Sequence, residues 1–205
     1  VVTPTRELAI QIDESFNTYG KYTNIRSMVI FGGVSQVPQV DQLKKGIDIL
    51  IATPGRLLDL HKQGFIDLDH LHFLVLDEAD QMLDMGFIND VKKIVKLTPD
   101  NRQTLLFSAT MPHKIREMAR KILHQPEEIN ISISKPNEKI EQSAFIVYDT
   151  QKIPLVKYLL LKKNFGSVLI FCSSKIAVKN LTRDLKRAKF LADEIHSDLD
   201  QSKRE

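Results

Sequence analysis

Residues 73–80 read Phe-Leu-Val-Leu-Asp-Glu-Ala-Asp, three carboxylates set directly after a fully aliphatic run. Such a run suits a strand buried on both faces of a parallel sheet. In a doubly wound sheet ligands bind at the carboxyl ends of the strands, so the acids would project into a cleft. An aliphatic strand ending in Asp-Glu is the Walker B arrangement, in which Asp77 would hold Mg²⁺ through water and Glu78 would orient and activate an attacking water. An acidic turn that only caps the next helix uses the same residue types, and the dipeptide alone does not separate the two.

Positioning these acids requires a sheet, and the pattern supplies one. Short aliphatic runs at 28–31, 47–52, 73–76, 104–107 and 129–133 read as strands, each followed by a turn or a helix start. Between them Leu8, Ile12, Phe16 and Tyr19 form one helical stripe, Phe87, Val91, Ile94 and Val95 a second, and Ile115, Met118, Ala119 and Ile122 a third. Alternation of this kind predicts an α/β fold, a parallel sheet covered by helices on both faces. The polar, proline-bearing segment 134–139 reads as a linker between two domains, 1–135 and 136–205. A second alternation follows: a strand at 144–147, a helix at 153–162, a strand at 168–171, a helix at 176–188 and a short strand near Ile195.

Composition narrows the class. With 205 residues, 42% hydrophobic and 27% charged, the chain is long and apolar enough to bury a core. No apolar run approaches the roughly 20 residues that cross a bilayer, and no charged-then-apolar leader opens it, so the expectation is a soluble protein. One cysteine, Cys172, makes no intrachain disulfide, which favours the cytoplasm. The six histidines are too scattered for a zinc site. The net charge of +3 does not identify a nucleic-acid binder, but its distribution is uneven. Residues 1–135 carry 16 basic against 17 acidic side chains, and residues 136–205 carry 13 against 9.

Further motifs set the acids in context. Asp77-Glu78-Ala79-Asp80 stands with Ser108-Ala109-Thr110, Pro4-Thr5-Arg6-Glu7-Leu8-Ala9, Gly32-Gly33 and Thr53-Pro54-Gly55-Arg56. Together these resemble the DEAD-box RNA helicases of superfamily 2, in that family's order, with wording that leans to its bacterial members. Leu169-Ile170-Phe171 with Cys172-Ser173-Ser174-Lys175, and Gln201-Ser202-Lys203-Arg204, look like the first two motifs of the family's second domain. The resemblance implies two RecA-like domains with parallel sheets flanked by helices, both incomplete in this chain. It implies ATP-dependent separation of short RNA duplexes with ATP and Mg²⁺ as cofactors. By the same resemblance Asp77 holds the Mg²⁺ of ATP, Glu78 sets the hydrolytic water, and Asp80 with Ser108 and Thr110 links the nucleotide site to the RNA site. A narrower reading leaves Ser108 and Thr110 as caps of the helix that follows Pro112.

One part expected of such an ATPase is missing: no Gly-x-x-x-x-Gly-Lys-Ser/Thr run occurs between Val1 and Glu205. The family carries that phosphate loop upstream of Pro-Thr-Arg-Glu-Leu-Ala and its arginine-rich motif beyond the equivalent of Glu205. The expectation is therefore a fragment, inactive alone. A non-catalytic RNA clamp derived from a helicase is the alternative.

RNA contact is expected at the backbone, since aromatic residues are only 7% and tryptophan is absent, which leaves no stacking platform. Thr3-Pro4-Thr5-Arg6 and Thr53-Pro54-Gly55-Arg56 share the pattern Thr-Pro-x-Arg. The threonine reads as N-cap and the proline as first helical residue, which exposes free N–H groups at the positive end of each helix with an arginine beside it. Gly32 and Gly33 suit a close backbone approach. Ser173, Lys175 and Arg204 would extend the track in the second domain. Such contacts read phosphate and sugar, so single-stranded and short duplex RNA would bind without regard to sequence.

Overall fold

A computed structural model of the chain describes residues 1–131, 140–162 and 165–200. The chain divides into two compact units, Val1–Asn130 and Ile131–Glu205, each taken by itself below. The expected linker at 134–139 lies outside the described residues, as does Arg204.

The first unit alternates strand and helix. Helix α1 (Arg6–Tyr19) leads to β1 (Ser27–Ile30), α2 (Val37–Leu43), β2 (Ile49–Ala52), α3 (Pro54–Lys62), β3 (Phe73–Leu76), α4 (Ala79–Asp84), α5 (Ile88–Lys96), β4 (Gln103–Leu106) and α6 (His113–Ile122). β1 pairs β2 in parallel with Ile30 opposite Ala52, and β3 pairs β4 in parallel with Leu76 opposite Leu106. Val2 joins the two pairs through parallel bridges to both Ala52 and Leu76. The spatial order is therefore β1, β2, the Val2 segment, β3, β4, all running the same way.

Strands and helices of this unit share one core. Ile30, Ile51 and Leu76 are fully buried, as are Leu60 of α3, Met82 of α4, Val91 of α5 and Ile115 of α6. Burying each such side chain contributes about 1.5–3 kcal/mol, so the helical stripes at α5 and α6 stabilise the unit as their period predicts. In α1 the fully buried residue is Ala9, while Tyr19, the last residue of the helix, is exposed.

The expected strand at 129–133 does not form over its described part, where Ile129 and Ile131 are exposed. In the second unit the helices appear as α7 (Asp149–Lys162) and α8 (Lys175–Arg187), but 144–147, 168–171 and the segment around Ile195 are not strands. Ile146, Leu169 and Phe171 are largely exposed. A parallel strand gains its ladder and its burial only beside a neighbour, and among the described residues of this unit no such pairing occurs. Of α7 no residue is buried, and of α8 only Thr182 and Leu185 are. No helix among the described residues is long and apolar enough to cross a membrane.

The uneven core yields a measurable contrast. Leu60→Ala or Met82→Ala should cost about 2–5 kcal/mol of unfolding free energy, whereas Leu169→Ala should fall within about 0.5 kcal/mol of wild type. Urea denaturation followed by circular dichroism reads both, and equal costs at the two places would show that the second unit holds a core of its own.

Candidate functional site

All the loops that leave the carboxyl ends of the first unit's strands lie on one edge of the sheet, because every strand is parallel. That edge gathers Thr3 and Thr5 after the Val2 segment, Gly32 and Gly33 after β1, Thr53 after β2, the acids after β3, and Ser108 to Thr110 after β4.

Asp77 is the first residue past β3, and its N–H donates to the Val2 carbonyl at 2.9 Å, so the ladder continues up to the acid. Its Oδ1 accepts the Glu78 N–H at 3.0 Å, and Oδ2 makes no hydrogen bond among the described residues. A half-buried carboxylate with one oxygen unspent suits a magnesium ion that keeps most of its waters and takes its remaining ligands from phosphate. No cluster of three or more His, Cys, Asp or Glu side chains fit to hold a metal exists among the described residues. An ion carried in with a nucleotide fits this arrangement better than one caged by protein.

Glu78 adopts φ 50°, ψ 53°, the left-handed region that costs a non-glycine residue about 1–2 kcal/mol. It occupies the N-cap position of α4, yet its side chain caps nothing. The carboxylate is thus not spent on the helix, and the capping alternative for this acid has no hydrogen bond behind it. The strained turn is pinned from β4 by Ala79 N–H donating to the Phe107 carbonyl at 3.0 Å.

Asp80 ties the two loops together. Its Oδ2 accepts both the Thr110 amide at 2.9 Å and the Thr110 hydroxyl at 2.7 Å. Its own N–H donates to Ser108 Oγ at 3.1 Å, and Ser108 in turn donates to the Thr110 carbonyl at 2.7 Å. Helix α6 is capped by Pro112 with no side-chain bond, so neither hydroxyl caps the helix that follows. Ser108 instead serves an orphan amide in the first turn of α4, across the gap between strands. Burial works to raise the Asp80 carboxyl, but the hydrogen bonds from Thr110, Ser108 and Gln81 outweigh it and hold it below the usual carboxylate range.

The twin Thr-Pro-x-Arg segments fold differently. In the second, Thr53 is the N-cap of α3 and Pro54 its first residue, as the pattern predicts, although the Thr53 hydroxyl makes no capping bond. In the first, the N-cap is Thr5, whose Oγ1 accepts the Leu8 N–H at 3.3 Å, and α1 begins at Arg6. Thr3 is still in the sheet: its N–H donates to the Ala52 carbonyl at 3.0 Å and it is fully buried, which moves the helix start two residues along. Pro4 is buried between the two.

The arginines turn inward. Gly33 has φ 77°, which favours glycine there, and the Arg6 guanidinium lies where a Cβ would stand, a contact the flexible arginine could relieve by moving. Arg56 Nη2 donates to the Val34 carbonyl at 3.0 Å, while its Nη1 is buried without a partner. Gly55 and Gly32 have open space around them. Gln39, which no motif singled out, is buried against the same loop; nothing in the sequence sets it apart from Gln36 and Gln42 beside it.

In the second unit Ser173 is exposed and Ser174 caps α8 by accepting the Ala177 N–H at 3.2 Å. Lys175 is engaged: its Nζ lies 2.6 Å from Asp198, which Lys179 also reaches at 3.2 Å. Cys172 is a free thiol.

The DEAD/DEAH box helicase family matches residues 1–118, more than half of the chain. The chain belongs to that family. It is 38% identical over its whole length to the ATP-dependent RNA helicase DbpA of Bacillus subtilis, covering 43% of that protein. It is 40% identical, again throughout, to the DEAD-box ATP-dependent RNA helicase CshA of Streptococcus pneumoniae, covering 39%. This DEAD-box chain therefore spans about two fifths of the length of the curated relatives it matches. Among solved structures, a DEAD box protein from Methanococcus jannaschii superposes with a TM-score of 0.61 at 39% identity, over 99% of this chain and 55% of that one. A hypothetical ATP-dependent RNA helicase from Sulfolobus tokodaii gives 0.59 at 42% identity, over 62% and 38%.

The link between the DEAD acids and the Ser-Ala-Thr turn has a pH signature. A carboxyl whose folded value lies below its unfolded value of about 3.9 stabilises the fold at neutral pH, and that contribution is lost as pH falls through the folded value. The Thr110 amide resonance should therefore hold steady down to about pH 4 and move below it, and Asp80→Asn should abolish the movement. Thr110→Val should cost roughly 0.5–1.5 kcal/mol in the same protein. A wild-type Thr110 resonance that ignores acid would show that the bond to Asp80 is not formed.

Proposed function

We propose that the chain is the middle part of an ATP-dependent RNA helicase of two RecA-like domains, both incomplete in these 205 residues. The reading rests chiefly on Asp77 and Glu78 sharing a sheet edge with the two helix starts at Arg6 and Pro54, joined to the next loop by Asp80. The short coverage of the relatives and the missing phosphate loop support the fragment, with the cytoplasm as its compartment.

In the mechanism Asp77 would hold, through water, the Mg²⁺ that accompanies ATP, an ion that would offset phosphate charge, and Glu78 would accept a hydrogen bond from the attacking water and take its proton. Bound ATP supplies the phosphoryl group whose loss lets the RNA go. Asp80, Ser108 and Thr110 pass the state of the nucleotide site to the RNA edge, because a shift of the turn after β3 must move the turn after β4 with it.

RNA lies along the backbone groups of the same edge. The Gly55 and Arg56 amides at the start of α3 and that of Arg6 at the start of α1 face the phosphates. Pro4, Thr5, Thr53 and Pro54 set these helix ends, Gly32 and Gly33 allow the strand to come close, and Arg6 and Arg56 add positive charge. Ser173, Lys175 and Arg204 extend the contact, Lys175 exchanging its bond to Asp198 for one to phosphate. Contacts of this kind hold single-stranded and short duplex RNA regardless of sequence.

The purified 205-residue chain should show no RNA-stimulated ATP hydrolysis, since the loop that grips the phosphates is absent from it. Turnover above a buffer blank that vanishes in Glu78→Gln would overturn this. In the longer protein that supplies the phosphate loop, Glu78→Gln should leave ATP binding near wild type and cut turnover by two or more orders of magnitude, on the order of 3 kcal/mol. A longer protein lacking any phosphate loop would favour the non-catalytic RNA clamp.

A further inference from the structure

The loop after β1 is hydrogen-bonded from two helices, and one of the holding residues belongs to no motif. Gln39 of α2 accepts the Phe31 N–H with Oε1 at 3.2 Å and donates to the Phe31 carbonyl with Nε2 at 3.3 Å. Its second Nε2 hydrogen goes to the Ser35 carbonyl at 3.3 Å. The side-chain amide thus pairs with Phe31 as a neighbouring strand would, and in the same stroke closes the loop at Ser35. Every donor and the acceptor of Gln39 are used on backbone. From α3, Arg56 reaches the Val34 carbonyl, and from α1, Arg6 lies over Gly33.

Packing alone does not call for glutamine here. Gln39 is 9% exposed and sits beside buried Val40 and the end of buried β1, where leucine or methionine would fill similar volume without desolvating an amide. What the amide secures is the shape of residues 32–35. The N–H groups of Gly32, Gly33 and Val34 make no protein hydrogen bond among the described residues, so this backbone is left free while its two ends are fixed.

We infer that Gln39 is a positioning residue: it fixes the Gly32–Gly33 loop in the form that meets RNA and so sets RNA affinity without touching RNA. The inference rests on the RNA reading of this edge given above. It also separates shape from charge, because a residue that acts through the loop changes affinity without changing the number of phosphates neutralised.

The test uses Gln39→Leu and, in case that variant folds poorly, Gln39→Glu, which keeps the acceptor for Phe31 and loses both donors. Hydrogen exchange on the 205-residue chain should show the Phe31 amide exchanging at least roughly tenfold faster in Gln39→Leu, with a melting temperature within a few degrees of wild type. In the longer protein both variants should bind a uridine homopolymer about tenfold more weakly, and in Gln39→Leu, which alters no charge, the slope of log affinity against log salt should be unchanged. Wild-type affinity and exchange in a folded variant would overturn the inference. So would a slope reduced by about 0.7, which marks a lost phosphate contact. Wild-type protein that fails to bind the homopolymer would overturn the RNA reading itself, and this inference with it, whereas wild-type binding with indifferent variants removes the inference alone.

Discussion

The peptide ladder through Val2 is the constraint on which the site depends. Val2 donates to the Val75 carbonyl at 2.8 Å and accepts from Asp77, and the next residue, Thr3, donates to Ala52 on the other side. Without that segment the unit would hold two separate two-stranded sheets, a size that is marginal in water. With it, all the strands run parallel and every loop that carries a polar motif emerges at the same edge. Parallel pairing also fixes register strongly, since a slip of one residue would turn Ile30, Ile51 and Leu76 out of the core. The position of Asp77, one residue past the strand, follows from the same ladder.

At that edge the loops are tied to one another more than to their own helices. The strained Glu78 is tolerated because Ala79 is bonded to Phe107 and Asp80 to Ser108 and Thr110, bonds from a different strand. The loop after β1 repeats the scheme with Gln39 and Arg56. In both places the backbone near the reacting or binding groups is fixed by side chains from elsewhere, which leaves its own polar groups free.

What the sequence made legible was local. The acids after an aliphatic strand, the helix start at Pro54 and the need for glycine at 33 follow from short-range rules, and the fold agrees with each. A Thr-Pro pair suits a helix start and so makes Thr3 look like a cap; that the chain is still bonded there to a neighbouring strand is a tertiary fact that no local pattern encodes. Gln39 escaped for the same reason: its partners, Phe31 and Ser35, lie outside its own helix turn. The runs at 144–147 and 168–171 have strand composition but no ladder, which shows that an aliphatic run states what a segment would bury and not whether a neighbour is present to bury it.

The arginines carry the argument one step further. The spacing sets Arg6 and Arg56 beside two helix starts as partners for phosphate; in the fold both are half-buried and turned onto the loop at 33–34. Arg56 keeps a buried donor, Nη1, that nothing in the described protein accepts. An unspent buried donor on a charged group costs about 1–3 kcal/mol or more, and an anion drawn to the start of α3 is a suitable acceptor for it. If phosphate takes that place, the same side chain holds the ligand with one nitrogen and the loop with the other. Binding and loop order then strengthen each other by linkage, since the Arg56 side chain that already holds Val34 in the free protein would be fixed further by the ligand.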